Sequence, residues 1–302
     1  MKLPSTEALD PSTAGIDRLD DVALATMLVE SHRIAVDAAL EAAAGIARAI
    51  ELVAAALEAG HRVVLIGAGT SGRLAVLDAS ELPPTFGLDP SRVEARIAGG
   101  DGALRAAIEG AEDDAEAGAR SVDDVGPGDV VIGISASGGA PFVRAAVRAA
   151  RGHGAHTIGL VNAGGGALAA DADVGITVPT GAEPIQGSTR MRAGTAQKIV
   201  LNAISTGAMI RLGKTYGNRM VDVVATNAKL RERSERIVRD LGGPGVDASE
   251  LLARSGGSAK VAVVMARREV DREEAERLLR AVHGRLAQVI DVDEGRGVTA
   301  AD

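Results

Sequence analysis

The sequence predicts an α/β protein: a doubly wound five-stranded parallel sheet with a helical N-terminal segment and a small C-terminal helical segment. Three observations carry this reading. Strand-like apolar runs alternate with helical patterns through the middle of the chain. Most of those runs are continuous rather than alternating, as expected of strands covered on both faces. The first run, Arg62–Ile66, ends in the glycine-rich turn Gly67-Ala-Gly-Thr-Ser-Gly72, which opens a helix.

Residues 1–20 are polar, punctuated by Pro4 and Pro11, and read as an arm. From Asp20 to Ala59 the composition is helical, interrupted only at Gly45. Strands are expected at Arg62–Ile66, Val93–Ala98, Asp129–Ile134, His156–Val161 and Val174–Val178. Helices are expected near Gly72–Glu81, Ala103–Arg120 and Phe142–Arg151. A long helix follows from about Arg190 to Leu212, then another from Val221 to Leu241, closed by Gly242-Gly243-Pro244. The tail from Asp247 to Val292 shows three short helical patterns. The organisation is thus an arm and helix (1–45), a sheet domain (46–215) and a helical module (216–302).

Composition narrows the function. Hydrophobic residues make up 46% of the chain, yet there are only one Tyr, two Phe and no Trp, so the core rests on Ala, Val, Leu and Ile. Three aromatic rings cannot supply the stacking platforms of a single-strand nucleic-acid binder. A net charge of −8 without a basic run argues against any nucleic-acid partner. Cysteine is absent, which excludes disulfide and thiolate chemistry. No apolar stretch has the length of a signal peptide core or a membrane span, so a soluble cytoplasmic protein is expected, with no membrane partner.

The Gly67–Gly72 turn matches GxGxxG, but the second strand ends Ile97-Ala98-Gly99-Gly100, without the acidic residue that would hold a dinucleotide ribose. Gly69, Thr70 and Ser71 instead offer backbone N–H groups and two hydroxyls, suited to a smaller phosphorylated guest. A second such turn, Ser135-Ala136-Ser137-Gly138-Gly139, follows the third strand and leads to a helix beginning near Pro141. A third polar turn, from Gly181 to Arg190, holds Glu183, Ser188 and Thr189. Ser188 or Thr189 would serve equally as the N-cap of the long helix.

Two carboxylates stand out. Glu81 precedes Leu82-Pro83-Pro84, which is expected to stop the helix, so its carboxyl would face the negative helix end and favour protonation; the plainer reading is a solvated surface acid. Glu112 falls within the stripe Leu104, Ile108, Ala111 and Ala115 of the expected Ala103–Arg120 helix, where an acid needs a partner or a task. A modest rotation would return it to water. The five histidines show no metal-ligand spacing, no Cys/His site exists, and no Walker lysine follows either turn.

The run Gly67-Ala-Gly-Thr-Ser-Gly-Arg-Leu-Ala-Val-Leu-Asp-Ala-Ser-Glu81-Leu-Pro-Pro-Thr-Phe-Gly87 closely resembles the signature of the N-acetylmuramic acid 6-phosphate etherases, a family of the sugar isomerase (SIS) fold. Ile97–Gly100, Glu109–Asp113, Gly187–Arg190, Gly194–Lys198, Asn202–Met209 and Ala225–Leu230 extend the resemblance over nearly the whole chain. A glucokinase regulatory protein resembles two such halves, and this chain has one. The resemblance implies a lyase that cleaves a D-lactyl ether from the phosphorylated sugar, with no cofactor or metal, and a homodimer. It implies Glu81 as general acid and Glu112 as the second catalytic carboxylate. Ser71, Ser135 and Ser137 would grip the phosphate, and Asn227 and Lys229 would approach the site. Two departures are visible: Gly139-Ala140 stands where the family commonly has Arg-Thr, and Leu9-Asp10 where it has Arg-Asn. A non-catalytic sugar-phosphate regulator and an aldose–ketose isomerase are the alternatives.

Overall fold

The computed structural model describes residues 4–222 and 228–291. Two compact units form: residues up to Ser80 with Pro90–Gly207, and Glu81–Asp89 with the residues from Ala208 onward.

In the first unit the arm is a series of short 3-10 turns. Helix α1 (Asp21–Glu30) starts where the Asp20 side chain accepts from the Ala23 N–H at 2.8 Å. Helices α2 (Arg33–Glu41) and α3 (Ala43–Glu58) follow. The helical stretch therefore breaks at Ser31-His32 and Ala42, not at Gly45. Gly45 lies inside α3, where a Cβ would meet Ile176 Cγ1 at 3.4 Å, an ordinary packing distance.

Strand β1 (Val63–Gly67) leads into α4 (Gly69–Phe86), β2 (Val93–Ile97), α5 (Ala115–Arg120) and β3 (Val130–Ser135). Then come α6 (Pro141–Gly152), β4 (His156–Val161), α7 (Ala167–Asp171), β5 (Val174–Thr177) and α8 (Arg192–Arg211). The five strands are parallel in the order β2-β1-β3-β4-β5. Every residue of β1 and β3 is buried. Val64, Ile66 and Val131 pack against Val143, Ala146 and Val147 of α6 and Leu168 of α7. Their strand neighbours Val63, Leu65, Ile132 and Ile134 are equally buried and point to the opposite face, where α3 contacts β1, β3 and β5. Edge strand β2 carries Glu94 and Arg96, tied to Asp124 and Arg62 by ion pairs, so its free edge is charged.

Two expected helices differ. The Gly72–Glu81 helix does not stop before Pro83-Pro84: α4 runs through both prolines to Phe86 and closes at Gly87, whose φ is +62° and whose N–H reaches the Pro83 carbonyl at 2.9 Å. Glu81 is consequently short of the last turn, where the macrodipole acts most strongly. The Ala103–Arg120 helix is mostly turns, with a 3-10 segment at Gly100–Leu104 and only Ala115–Arg120 truly helical. Gly110 has φ +74°, and Asp114 caps α5 by accepting from the Ala117 N–H, so regular helix begins only after Asp114.

The second unit adds a hairpin, β6 (Thr215–Tyr216) with β7 (Arg219–Met220), around the two-residue turn Gly217-Asn218. It also contains α9 (Ala228–Leu241), α10 (Ala248–Arg254), α11 (Ala259–Arg268), α12 (Arg272–Ala281) and α13 (Leu286–Ile290). The helix expected from Val221 thus begins at Ala228 among the described residues, and the tail holds four helices rather than three. Helix α11 is central, with every residue from Ala259 to Met265 buried. Lys260 sits in that core and donates to the carbonyls of Gly213 and Gly284, each at 2.9 Å, and to Asp222 Oδ2 at 2.7 Å. Burial lowers its pKa, opposed by Asp222. Asn227 lies outside the described residues, as does the side chain of Lys229.

The β1–α4 turn is tight enough to demand glycine. A Cβ on Gly72 would lie 2.5 Å from Ile97 Cγ1 and 2.8 Å from the Gly67 carbonyl oxygen. Gly72→Ala is expected to destabilise the first unit by about 1–3 kcal/mol through overpacking. Calorimetry measures this, and an unchanged melting temperature would show that the turn has slack.

Candidate functional site

The chain goes from β1 outward to β2 and then returns to β3 on the other side of β1, so the strand order reverses between β1 and β3. Open α/β sheets bind ligands at such a reversal, beyond the carboxyl ends of the strands. Here β1 and β3 are hydrogen-bonded neighbours with Gly67 opposite Ile134, which sets the turns 68–72 and 135–140 side by side. Helix α4 starts at Gly69 and α6 at Pro141, so two helix N-termini face one crevice. At α4 the first N–H groups lack intrahelical acceptors and favour an anion, whereas α6 begins with Pro141, which has no N–H, and its Phe142 N–H is taken by the Glu112 carbonyl.

A cavity of about 310 Å³ occupies this crevice, lined by Glu7, Ala68, Gly69, Thr70, Ser71, Glu112, Ile134, Ser135, Ala136, Ser137, Ala140, Gly187 and Thr189. Ser137 also borders an adjoining cavity of about 650 Å³, with Gly138 and the 163–167 loop. The fold therefore brings Gly69, Thr70, Ser71, Ser135, Ser137, Thr189 and Glu112 together, with Gly138 next door. None of the described lining residues is Lys or Arg. No group of three or more His, Asp or Glu among the described residues is arranged to hold a metal ion.

Glu112 reaches the cavity from a turn, not from an apolar helix face. Its carbonyl accepts from the Phe142 N–H at 3.0 Å, which pins the loop to the start of α6. Its carboxyl has no hydrogen-bond or ion-pair partner among the described residues. Burial raises its pKa, with the nearby charge of Asp113 adding to the effect. A carboxyl so placed can exchange a proton closer to neutrality than an ordinary glutamate.

Two expected site residues, Glu183 and Ser188, lie elsewhere, while Glu81 is exposed on α4 and belongs to the second unit. Glu183 is fully buried and caps α8: its carboxylate accepts from the N–H of Arg192 at 2.8 Å and of Ala193 at 3.0 Å. The cap of the long helix is thus Glu183, not Ser188 or Thr189. Ser188 does not line the cavity either; its N–H closes a turn onto the Ile185 carbonyl at 2.9 Å.

Glu7 enters the site from the arm and was not among the expected residues. Its carbonyl accepts from Gln186 Nε2 at 2.9 Å, and its carboxylate lies against Gly187, where a Cβ would meet Oε2 at 2.9 Å. The arm is held by Arg192 of α8, which binds Asp10 Oδ2 at 2.8 Å, the Ser31 carbonyl at 3.0 Å and the Ala182 carbonyl. The Ser12 hydroxyl and the Arg192 guanidinium keep the Asp10 carboxyl below the usual carboxylate range. The departure at Asp10 therefore has a local reason, since an aspartate gives Arg192 a charged partner.

A SIS domain is the class that this sheet and crevice define, and two family models agree. The N-terminal SIS domain of glucokinase regulatory protein matches residues 45–151, and the SIS domain matches residues 108–206. The N-acetylmuramic acid 6-phosphate etherase of Deinococcus radiodurans is 46% identical, over 98% of this chain and 98% of its own. That of Gloeobacter violaceus is 47% identical over 96% of each chain. That of Caldanaerobacter subterraneus subsp. tengcongensis is 45% identical over 96% of this chain and 95% of its own. The chain belongs to the N-acetylmuramic acid 6-phosphate etherase family.

Ala140, at the N-cap of α6, supplies no side-chain cap, so a first-turn N–H of that helix goes without one. Ala140→Thr is expected to raise stability by about 1 kcal/mol, the usual worth of such a cap. A thermal melt checks this; a lowered transition would mean that the 3% exposed position has no room for the added atoms.

Proposed function

We propose that this protein is a carbon–oxygen lyase that cleaves the D-lactyl ether of N-acetylmuramic acid 6-phosphate, giving N-acetylglucosamine 6-phosphate and D-lactate. The observation that carries the reading is the pairing of an anion crevice, built from two helix N-termini and hydroxyl-bearing turns, with an unpartnered, half-buried carboxyl at Glu112. In the opened sugar the aldehyde acidifies the proton on carbon 2. A base takes that proton, the lactyl ether oxygen leaves carbon 3 as it is protonated, and water then adds across the new double bond. The sum is hydrolysis without a net change of oxidation state. Glu112 suits the base and water-activating role, because its raised pKa gives the conjugate base a stronger pull on a carbon-bound proton. The relatives that bear the etherase name match nearly end to end, which favours neither a silent regulator nor an isomerase.

Glu81 is the acid in this reading. It is exposed in the single chain, and in this reading it serves a site completed by a second copy, in a homodimer whose two-fold axis gives each site one Glu81 from the partner. The protein acts in the cytoplasm, which its cysteine-free composition suits.

D-lactate release from purified protein is the direct test. Glu81→Gln is expected to lose turnover by about 100-fold or more while retaining sugar-phosphate binding, the usual scale for a removed acid–base group. An unchanged rate would remove Glu81 from the mechanism. Mixing Glu81→Gln with Glu112→Gln chains should restore activity if the site is shared, and a mixture as dead as its parts would sink the two-chain arrangement.

The pH dependence has a defined sign. The base must be ionised, so kcat/KM should fall as pH drops through an apparent pKa above the ordinary glutamate value of about 4.3. For stability the raised folded pKa works the other way. The contribution of Glu112 is fully present below its unfolded pKa and is lost as pH rises through the folded one. Glu112→Gln should therefore abolish the acidic limb and raise the melting temperature at neutral pH. A lowered melting temperature would show that the ionised carboxylate is stabilised in the fold.

A further inference from the structure

With no cation in the lining, the direction of each hydroxyl proton decides what the cavity can hold. The second turn is simple. Ser135 Oγ accepts from the Gly138 N–H at 3.1 Å, and Ser137 Oγ accepts from the Gly139 N–H at 3.1 Å. Each oxygen has used a lone pair, and neither hydroxyl proton has an acceptor among the described residues. Both serines are therefore set as donors.

Ser71 is set the opposite way by a buried chain of side chains. Asn162 is fully buried, and its Nδ2 donates to the Val178 carbonyl at 3.1 Å. The reversed amide would turn Oδ1 onto that carbonyl, two acceptors facing each other out of water. Asn162 Oδ1 therefore faces Gln197, which is 1% exposed and donates to it through Nε2 at 2.8 Å. Gln197 must then present Oε1 to Ser71, and the Ser71 hydroxyl gives its proton to that oxygen at 2.9 Å. The Val178 carbonyl thus fixes, through two amides, where the Ser71 proton goes. What remains on Ser71 Oγ is lone pairs.

We propose that Ser71 is a hydrogen-bond acceptor for a sugar hydroxyl, held in that polarity by Gln197 and Asn162, and that its side chain is not a phosphate ligand. This rests on the sugar-phosphate reading above and deepens it. The backbone N–H of Ser71, in the first turn of α4, stays available to an anion, while its Oγ rejects one. The crevice is then polarised, with hydroxyl donors at Ser135 and Ser137 and an acceptor at Ser71. Gln197 and Asn162 are positioning residues, since neither lines the cavity.

The test compares two probes, inorganic phosphate and N-acetylglucosamine 6-phosphate, by titration calorimetry on the full chain. Ser71→Ala should leave inorganic phosphate affinity within about twofold of wild type and weaken the sugar phosphate about 3- to 10-fold, the scale of one neutral hydrogen bond. Ser137→Ala should weaken both. A collapse of the turn would weaken both probes in Ser71→Ala as well, so the ratio separates recognition from structure. Loss of inorganic phosphate in Ser71→Ala comparable to that in Ser137→Ala, or no change with either probe, overturns the assignment. Should Ser71→Ala not fold, Gln197→Met frees the Ser71 proton, and inorganic phosphate should then bind as well as before or more tightly; weaker binding overturns the proposal. Failure of the etherase reading would show separately, as absence of lactate from the wild-type protein.

Discussion

The structure depends on one constraint: β1 and β3 are neighbours in a parallel sheet although the chain visits β2 between them. Hydrogen bonding of β1 to β3 fixes their ends to within one residue of each other, with Gly67 opposite Ile134. β1 turns at once into α4, whose first N–H groups lack intrahelical acceptors, while β3 leads through the hydroxyl-bearing turn 135–140 into α6, and no Lys or Arg is among the lining residues. The rest of the first unit supports that convergence. Gly67 and Gly72 let α4 close onto the sheet, Phe142 anchors the Glu112 loop at the start of α6, and Glu183 caps α8 so that Arg192 can hold the arm.

How much of this is legible in the sequence follows from which signals are local. Apolar patterns mark the five strands to within a residue or so, most plainly β1 and β3, where burial on both faces leaves no room for polar substitution, whereas β2, with Glu94 and Arg96, alternates as a charged edge. Both anion turns are legible for the same reason, as glycine and hydroxyls directly follow a run. The Ala103–Arg120 helix fails because its stripe of apolar residues is real but Gly110, with φ +74°, breaks the period it suggests. Glu112 still reaches the crevice, from a turn held by a single backbone hydrogen bond. The prolines at 83 and 84 do not end α4, whose last turns include the buried Leu82 and Phe86 on either side of them. The hairpin at 215–220 has strands too short for periodicity, although Gly217-Asn218 is a turn signal. Least legible are Glu7, Gln197 and Asn162. Their roles depend on partners 16 to 179 positions away, and no local pattern encodes such pairs.

A cavity that takes an anion without Lys or Arg works under particular rules. Helix ends and hydroxyls hold charge by orientation, so affinity follows how firmly each dipole is aimed. In the second turn the aim comes from backbone N–H groups that occupy the oxygens of Ser135 and Ser137. In the first it comes from a buried amide pair, Gln197, which touches Ser71 from 126 positions downstream, and Asn162 behind it. Ala140, also in the lining, adds no hydroxyl to this set. The negative side chains at the rim, Glu7 and Glu112, bear on the same balance. A bound phosphate near Glu112 would push its pKa further up, so binding and proton affinity reinforce each other.

That coupling bears on how two carboxyls could share one reaction. An acid and a base of the same chemical type can hold different protonation states at one pH only if their surroundings differ. Glu112 is half-buried in a single chain, with its pKa already raised. Glu81 is exposed in a single chain. Pairing of two copies in the proposed arrangement supplies what the isolated chain lacks. In that proposal the partner copy gives Glu81 surroundings different from those of Glu112, which is what two carboxyls with separate roles require.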